Sequence, residues 1–171
     1  MRELSKPSVQ FVTFEEVLAK DGVLIYTNVG ISMLPLLRQH RDIIEIRRKD
    51  PAARCKRYDV VLYRRGKKYI LHRILKVREK DYVICGDNNI YREYGITDDR
   101  ILGVMTRVIR NGKYITPDNR WYKLYVHLWC DFYPIRAAIL YVRMLIASAV
   151  RKVMRRLKWI PSKGETVEKH E

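Results

Sequence analysis

The spacing of apolar and polar positions changes twice along the chain. Residues 12–20 (VTFEEVLAK) have the period of a short helix, with Thr13 at the N-cap position and Asp21-Gly22 to stop it. GVLIYTNVG (22–30) then reads as a strand. DIIEIRR (42–48), YDVVLYRR (58–65), KKYILHRILKVRE (67–79) and DYVICGD (81–87) are further short runs rich in β-branched and aromatic residues. Arg65-Gly66 and Lys80-Asp81 fall where hairpin turns are needed. ILGVMTRVIRNGKYI (101–115) supplies two more strands around Asn111-Gly112, a dipeptide suited to a tight hairpin. This pattern predicts a mainly β fold class: a compact antiparallel β domain over residues 22–116, preceded by an N-terminal segment, 1–21, that carries the short helix.

Beyond TPDNRW the period changes again. Residues 121–133 are dense in aromatics, and Pro134 suits the first turn of a new helix. From there Ile135, Ile139, Val142, Ile146, Val150, Val153 and Leu157 recur on one face, with Arg136, Arg143, Arg151, Arg155 and Lys158 on the other. No acidic residue lies between Phe132 and Gly164. We expect an aromatic linker and a basic amphipathic helix over 117–160, then a disordered tail over 161–171. A bilayer span needs roughly 20 mostly apolar residues; Arg136 and Arg143 bracket the stretch, and the uninterrupted run from Met144 to Val150 is too short for that. Two placements fit the helix: in the interface of an anionic membrane, or packed on its own β domain with the cationic face in water.

The formal net charge of +16 calls for an anionic partner, and the basic helix carries much of it. Candidate partners are an anionic membrane surface and a peptide or protein precursor; without a readout motif, no specific nucleic acid is expected. The three cysteines, Cys55, Cys85 and Cys130, are odd in number and dispersed, which favours a reducing compartment over a disulfide framework. The first residues, MRELSKPSVQFVTFEEV, lack the apolar core of a signal peptide. The expected location is cytoplasmic, or peripheral on the cytoplasmic face of a membrane.

GISMLPLL (30–37) places Ser32 between Gly30 and Pro35. A serine in such company is usually a turn residue; it becomes a nucleophile only with a base in reach and a group that orients the base. Of His40, His72, His127 and His170, His72 stands mid-strand in YILHRIL and shares a face with Ile70 and Ile74, where a polar ring needs a partner. Two acidic turns, CGDNN (85–89) and ITDDR (96–100), supply carboxylates.

Read in order, Gly30-Ile31-Ser32-Met33-Leu34-Pro35, Asp59-Val60-Val61, His72-Arg73-Ile74, Gly86-Asp87-Asn88-Asn89 and Asp98-Asp99-Arg100 through Gly103 resemble the boxes of the signal peptidase family and its relatives, the self-cleaving repressor proteases (the S24/S26 peptidases). The resemblance covers about residues 28–105. It implies that Ser32 attacks a peptide carbonyl. It also implies that His72 is the base, as in archaeal and endoplasmic-reticulum-type members, where bacterial ones use lysine. The acid then falls in Asp98-Asp99. Asp99, directly before Arg100, is the preferred residue, and Asp98 is the alternative or a brace for Arg100. Arg73 follows the base in its box, and Asp87 is assigned to turn formation in the GDNN box. Met33 is expected to pack beneath the nucleophile. The Ser32 N–H would donate into the oxyanion hole, and Gly30 stands where many members carry a hydroxyl. The chemistry requires no metal or organic cofactor.

The implied function is a serine endopeptidase acting on a leader or precursor substrate, near a membrane surface. The family's membrane anchor is missing from the N-terminal residues, which points to a cytoplasm-facing relative. The alternatives are a non-catalytic binding module of the same fold, recruited to anionic membrane or nucleic acid, and a regulatory protease of the repressor kind.

Overall fold

The computed structural model describes residues 12–157. The N-terminal residues 1–11, the tail over 161–171 and Lys158 lie outside them. The chain divides into two compact units, with the boundary between Asp131 and Phe132.

The first unit opens on α1 (Phe14–Asp21), held by a capping box. The Glu16 N–H donates to Thr13 Oγ1 at 3.2 Å, and the Thr13 N–H donates to Glu16 Oε2 at 2.8 Å. Gly22 ends the helix at φ 71°, a backbone setting that glycine adopts without steric cost. Eight strands follow: β1 (Val23–Thr27), β2 (Ile43–Arg48), β3 (Val60–Arg65), β4 (Lys68–Val77), β5 (Tyr82–Cys85), β6 (Glu93–Ile96), β7 (Ile101–Arg110) and β8 (Lys113–Ile115). They form one sheet in the order β1-β2-β7-β3-β4-β5-β6, with β8 on β7, and every pairing is antiparallel. The fold is mainly β, as the patterning predicts.

Successive residues of the central strands feed two apolar clusters, as a period of two requires. Val60, Leu62 and Leu71 join Leu18, Ile44, Met105 and Val108 in the larger one; Val61, Tyr63 and Ile74 join Tyr82, Ile84 and Ile101 in the other. His72 therefore shares its side of β4 with Ile70 and Ile74, and Arg73 points the opposite way.

Two elements differ from the sequence expectation. The aromatic stretch is a helix, α2 (Arg120–Cys130), rather than a linker. Asn119 caps it by accepting from the N–H groups of Trp121 and Tyr122, and Tyr122, Val126 and Cys130 recur at i, i+4 and i+8 to enter the larger cluster. The first unit thus runs past residue 116, to Asp131. The second difference is β6, a four-residue edge strand between the two acidic turns, where the patterning assigns no strand. Its sequence, EYGI, buries only Ile96 fully, so no apolar alternation marks it.

The second unit contains α3 (Tyr133–Arg156), with proline in its first turn. Among the described residues, no helix is long and apolar enough to cross a membrane.

Candidate active site

Ser32 lies on the β1–β2 connection. Met33, Leu36 and Leu37 tie that segment to the larger apolar cluster and are 1%, 8% and 0% exposed. Polar contacts fix its ends. Asn28 Nδ2 donates to Gly30 O at 2.7 Å, and the buried Asp42 carboxylate accepts from the Arg38 N–H and the Arg110 guanidinium. Pro35 is exposed and follows a cis peptide bond.

The GDNN turn joins this segment to β4. The Asn88 N–H donates to Ser32 O at 2.7 Å, and Asn88 Nδ2 donates to Ile31 O at 3.2 Å. Gly86 marks the crossing point. A methyl group there would stand 2.6 Å from Ser32 O, 2.9 Å from His72 Nε2 and 2.9 Å from Asn89 Nδ2. Such contacts leave no room for a Cβ, so glycine is what lets the serine segment and the imidazole converge. Ser32 and His72 line one cavity of about 550 Å³, together with Asn89, Leu62, Tyr69 and Leu71. Among the described residues, neither the Oγ nor the N–H of Ser32 has a hydrogen-bond partner, and both remain able to act. A Cβ on Gly30 would approach nothing closer than Ser32 Oγ, at 4.0 Å.

The group that orients His72 is Glu93, a residue the sequence reading passed over. Glu93 Oε1 lies 3.0 Å from His72 Nδ1 and accepts its proton, which leaves the Nε2 lone pair toward Asn89 Nδ2 at 3.4 Å. Pairing of Ile84 with Glu93 in the β5–β6 hairpin brings the carboxylate opposite β4. Arg65 Nη1 holds Glu93 Oε2 at 2.9 Å, and the fully buried Tyr63 hydroxyl adds a hydrogen bond to Glu93 and lies 3.3 Å from His72 Nδ1. Burial of the imidazole (4% exposed) lowers the His72 pKa from its ordinary value, and the Glu93 charge offsets only part of that. At neutral pH the ring is therefore an uncharged base with a defined tautomer.

Asp99 does not take the place assigned to it. It is exposed on the 3₁₀ turn Asp98–Arg100 and lines a different cavity, of about 510 Å³, with Arg48, Lys49 and Leu102. Asp98 braces Lys49 at 3.1 Å, Arg54 at 3.2 Å and the Tyr82 hydroxyl at 2.6 Å, rather than Arg100. Arg100 is exposed and caps the turn through its main chain, donating to Thr97 O at 3.1 Å. The physical reason is the intervening strand. β6 carries the chain past His72 before the Asp-Asp-Arg turn begins, so the carboxylate that arrives at the imidazole comes from β6.

Asp87 is more than a turn residue. It is fully buried and forms a two-pronged pair with Arg73, at 2.9 and 2.8 Å. Arg73 also donates to Tyr58 O and to the Tyr122 hydroxyl, while Tyr125 Oη donates to Asp87 Oδ2 and Trp129 Nε1 to Asp87 O. The Tyr122 and Tyr125 hydroxyls thus end on buried charge, and Trp129 Nε1 on a main-chain carbonyl, instead of water. The arrangement locks the GDNN turn, and with it the crossing of Ser32 and His72, to the core. Among the described residues, no group of His, Cys, Asp and Glu has the geometry of a metal site.

Three features of chemistry therefore meet in one place: an unengaged hydroxyl, a neutral imidazole held from behind by a carboxylate, and a free main-chain donor beside an apolar cavity. No family model matches the chain, and neither a curated protein nor a solved structure matches it.

Proposed function

We propose that the chain is a serine endopeptidase of signal-peptidase-like type that cleaves a peptide or protein precursor. The observation that carries this reading is the convergence of Ser32 and His72 at Gly86, with Glu93 on the far nitrogen of the imidazole. In the proposed reaction, Ser32 Oγ–H takes the place of Asn89 Nδ2–H at His72 Nε2. Oγ attacks the scissile carbonyl as the imidazole removes its proton, and the imidazolium returns that proton to the leaving amine. Glu93 keeps the productive tautomer and stabilises the imidazolium, with Arg65 and Tyr63 holding the carboxylate in place. The Ser32 N–H donates to the developing oxyanion. Water then hydrolyses the acyl-enzyme by the same route in reverse.

The cavity beside the pair has an apolar floor of Leu62 and Leu71 and an aromatic wall of Phe14, Tyr26 and Tyr69, in which the Phe14 and Tyr69 rings stack at 4.7 Å. It suits an extended apolar stretch of substrate. Mapping new protein N-termini in cells that carry the wild type and in cells that carry Ser32→Ala tests the function. Cleavage sites present only with the wild type are expected, and identical sets of termini would reject it.

The pH profile follows from the lowered His72 pKa. An acidic limb in kcat/KM should lie below pH 6.5, the ordinary imidazole value, because protonation removes the base. Stability moves with it. The unfolded chain binds the proton more readily than the folded one, so His72 costs stability as pH falls through about 6.5 toward its folded pKa and costs none above that window. A limb centred above pH 6.5 would contradict this assignment of the base.

A further inference from the structure

The apolar stripe of α3 has no role in the proposed chemistry. Ile135, Ile139, Val142, Ile146, Val150 and Val153 fall within about a quarter of the helix circumference at roughly 100° per residue. They are 58%, 46%, 51%, 58%, 49% and 54% exposed. Apolar surface is not confined to the stripe. Tyr141, Met144 and Leu145 point elsewhere and are also about half exposed. Between Ile139 and Val150 the only charged residue is Arg143, whereas Arg151, Lys152, Arg155 and Arg156 follow at once, all exposed. Arg136 does not belong to that cationic face: it is buried, with its guanidinium 4.8 Å over the Tyr133 ring.

We propose that α3 is an interfacial anchor that lies in the surface of an anionic phospholipid bilayer. Charge selects the partner. The helix has no acidic residue, so a second copy packed stripe to stripe would leave the cationic side unmatched, and a partner that answers both sides must be anionic. Shape selects lipid over an acidic protein helix, because a partner helix buries one stripe and would leave Tyr141, Met144 and Leu145 in water. The headgroup zone of a bilayer encloses the rest of the helix, so these residues lie there beside Arg151 and Arg155 while the stripe faces the acyl chains. Length excludes a span: twelve residues at 1.5 Å reach about 18 Å, against a hydrocarbon core of about 30 Å. The helix therefore lies along the interface, apolar side chains in the acyl boundary and the arginines and Lys152 at lipid phosphates. This proposal does not depend on the peptidase reading.

Flotation of the full chain with vesicles tests it, comparing pure phosphatidylcholine with phosphatidylcholine and phosphatidylglycerol at roughly three to one. The wild type is expected to float with the anionic vesicles and far less with the neutral ones, and added salt should weaken binding. Ile139→Asp with Ile146→Asp should abolish flotation. Arg151→Glu with Arg155→Glu should weaken it on the order of tenfold or more. Unfolding midpoints of both variants report whether the fold is intact, and either variant alone carries the test if the other fails to fold. Absence of flotation at low salt, equal flotation with both lipids, or flotation unaffected by the substitutions would overturn the proposal. So would a dimer that Ile139→Asp with Ile146→Asp dissolves in a chain that binds no vesicles.

Discussion

Glu93→Gln should slow turnover by roughly 10²–10⁴-fold, whereas Asp99→Asn should leave it within about twofold. The contrast follows from which carboxylate faces the imidazole. Glu93 Oε1 sits 3.0 Å from His72 Nδ1, and Asp99 lines a separate cavity. An amide at position 93 can present its NH₂ to Nδ1, which stabilises the tautomer with the proton on Nε2 and removes the lone pair that Ser32 requires. It also leaves the imidazolium without a countercharge. The change keeps the side-chain shape, and Arg65 retains an oxygen to bind, so unfolding midpoints should move little. Single-turnover rates of the two variants on one peptide make the comparison. Equal loss in both variants, or loss in Asp99→Asn alone, would return the role to the Asp-Asp-Arg turn.

Asp87→Ala should destabilise the first unit by about 3–5 kcal/mol, the scale for breaking a buried ion pair from one side. Arg73 is fully buried; burial works against its charge, but the Asp87 carboxylate outweighs that and holds the guanidinium pKa well above its ordinary value. Without Asp87 the guanidinium keeps its bonds to Tyr58 O and the Tyr122 hydroxyl but loses its countercharge, and the Tyr125 hydroxyl loses its acceptor. Urea unfolding should show the loss as a lower midpoint with little change in slope. The double variant Arg73→Met with Asp87→Leu should be less damaged than Asp87→Ala, because it removes both charges together and fills their volume. A cost below about 1 kcal/mol for Asp87→Ala would mean that the pair contributes no more than an exposed one.

The sheet was legible because its strands are short β-branched and aromatic runs bounded by turn residues. Val60-Val61-Leu62-Tyr63 and Ile70 through Ile74 are such runs, buried on both sides, and Asn111-Gly112 marks the hairpin at φ 50° and 74°. His72 stood out for the same reason, as a polar ring in an apolar row. Glu93 did not. Its strand is short, lies at the sheet edge and is interrupted by Gly95, so nothing periodic separates it from the neighbouring polar turns. The usable signal was a lone carboxylate seven residues beyond Gly86, in a segment of tyrosines that could pair with β5. The Arg73–Asp87 pair was hidden for a different reason. Composition suggests that tyrosines keep a wet polar edge, but Tyr122 and Tyr125 turn theirs inward onto charge, which only the docking of α2 reveals. Gly86 looked like an ordinary turn glycine. What requires it is the approach of two segments far apart in sequence, a fact of tertiary structure alone.

Covalent capture by a fluorophosphonate, with the modified residue located by mass spectrometry, bears most directly on the pairing of Ser32 with His72. Phosphonylation of Ser32 in the wild type, its slowing by His72→Ala, and its absence in Ser32→Ala are the predicted results. Failure of the folded wild type to react at Ser32, or an equal rate after His72→Ala, would contradict the account.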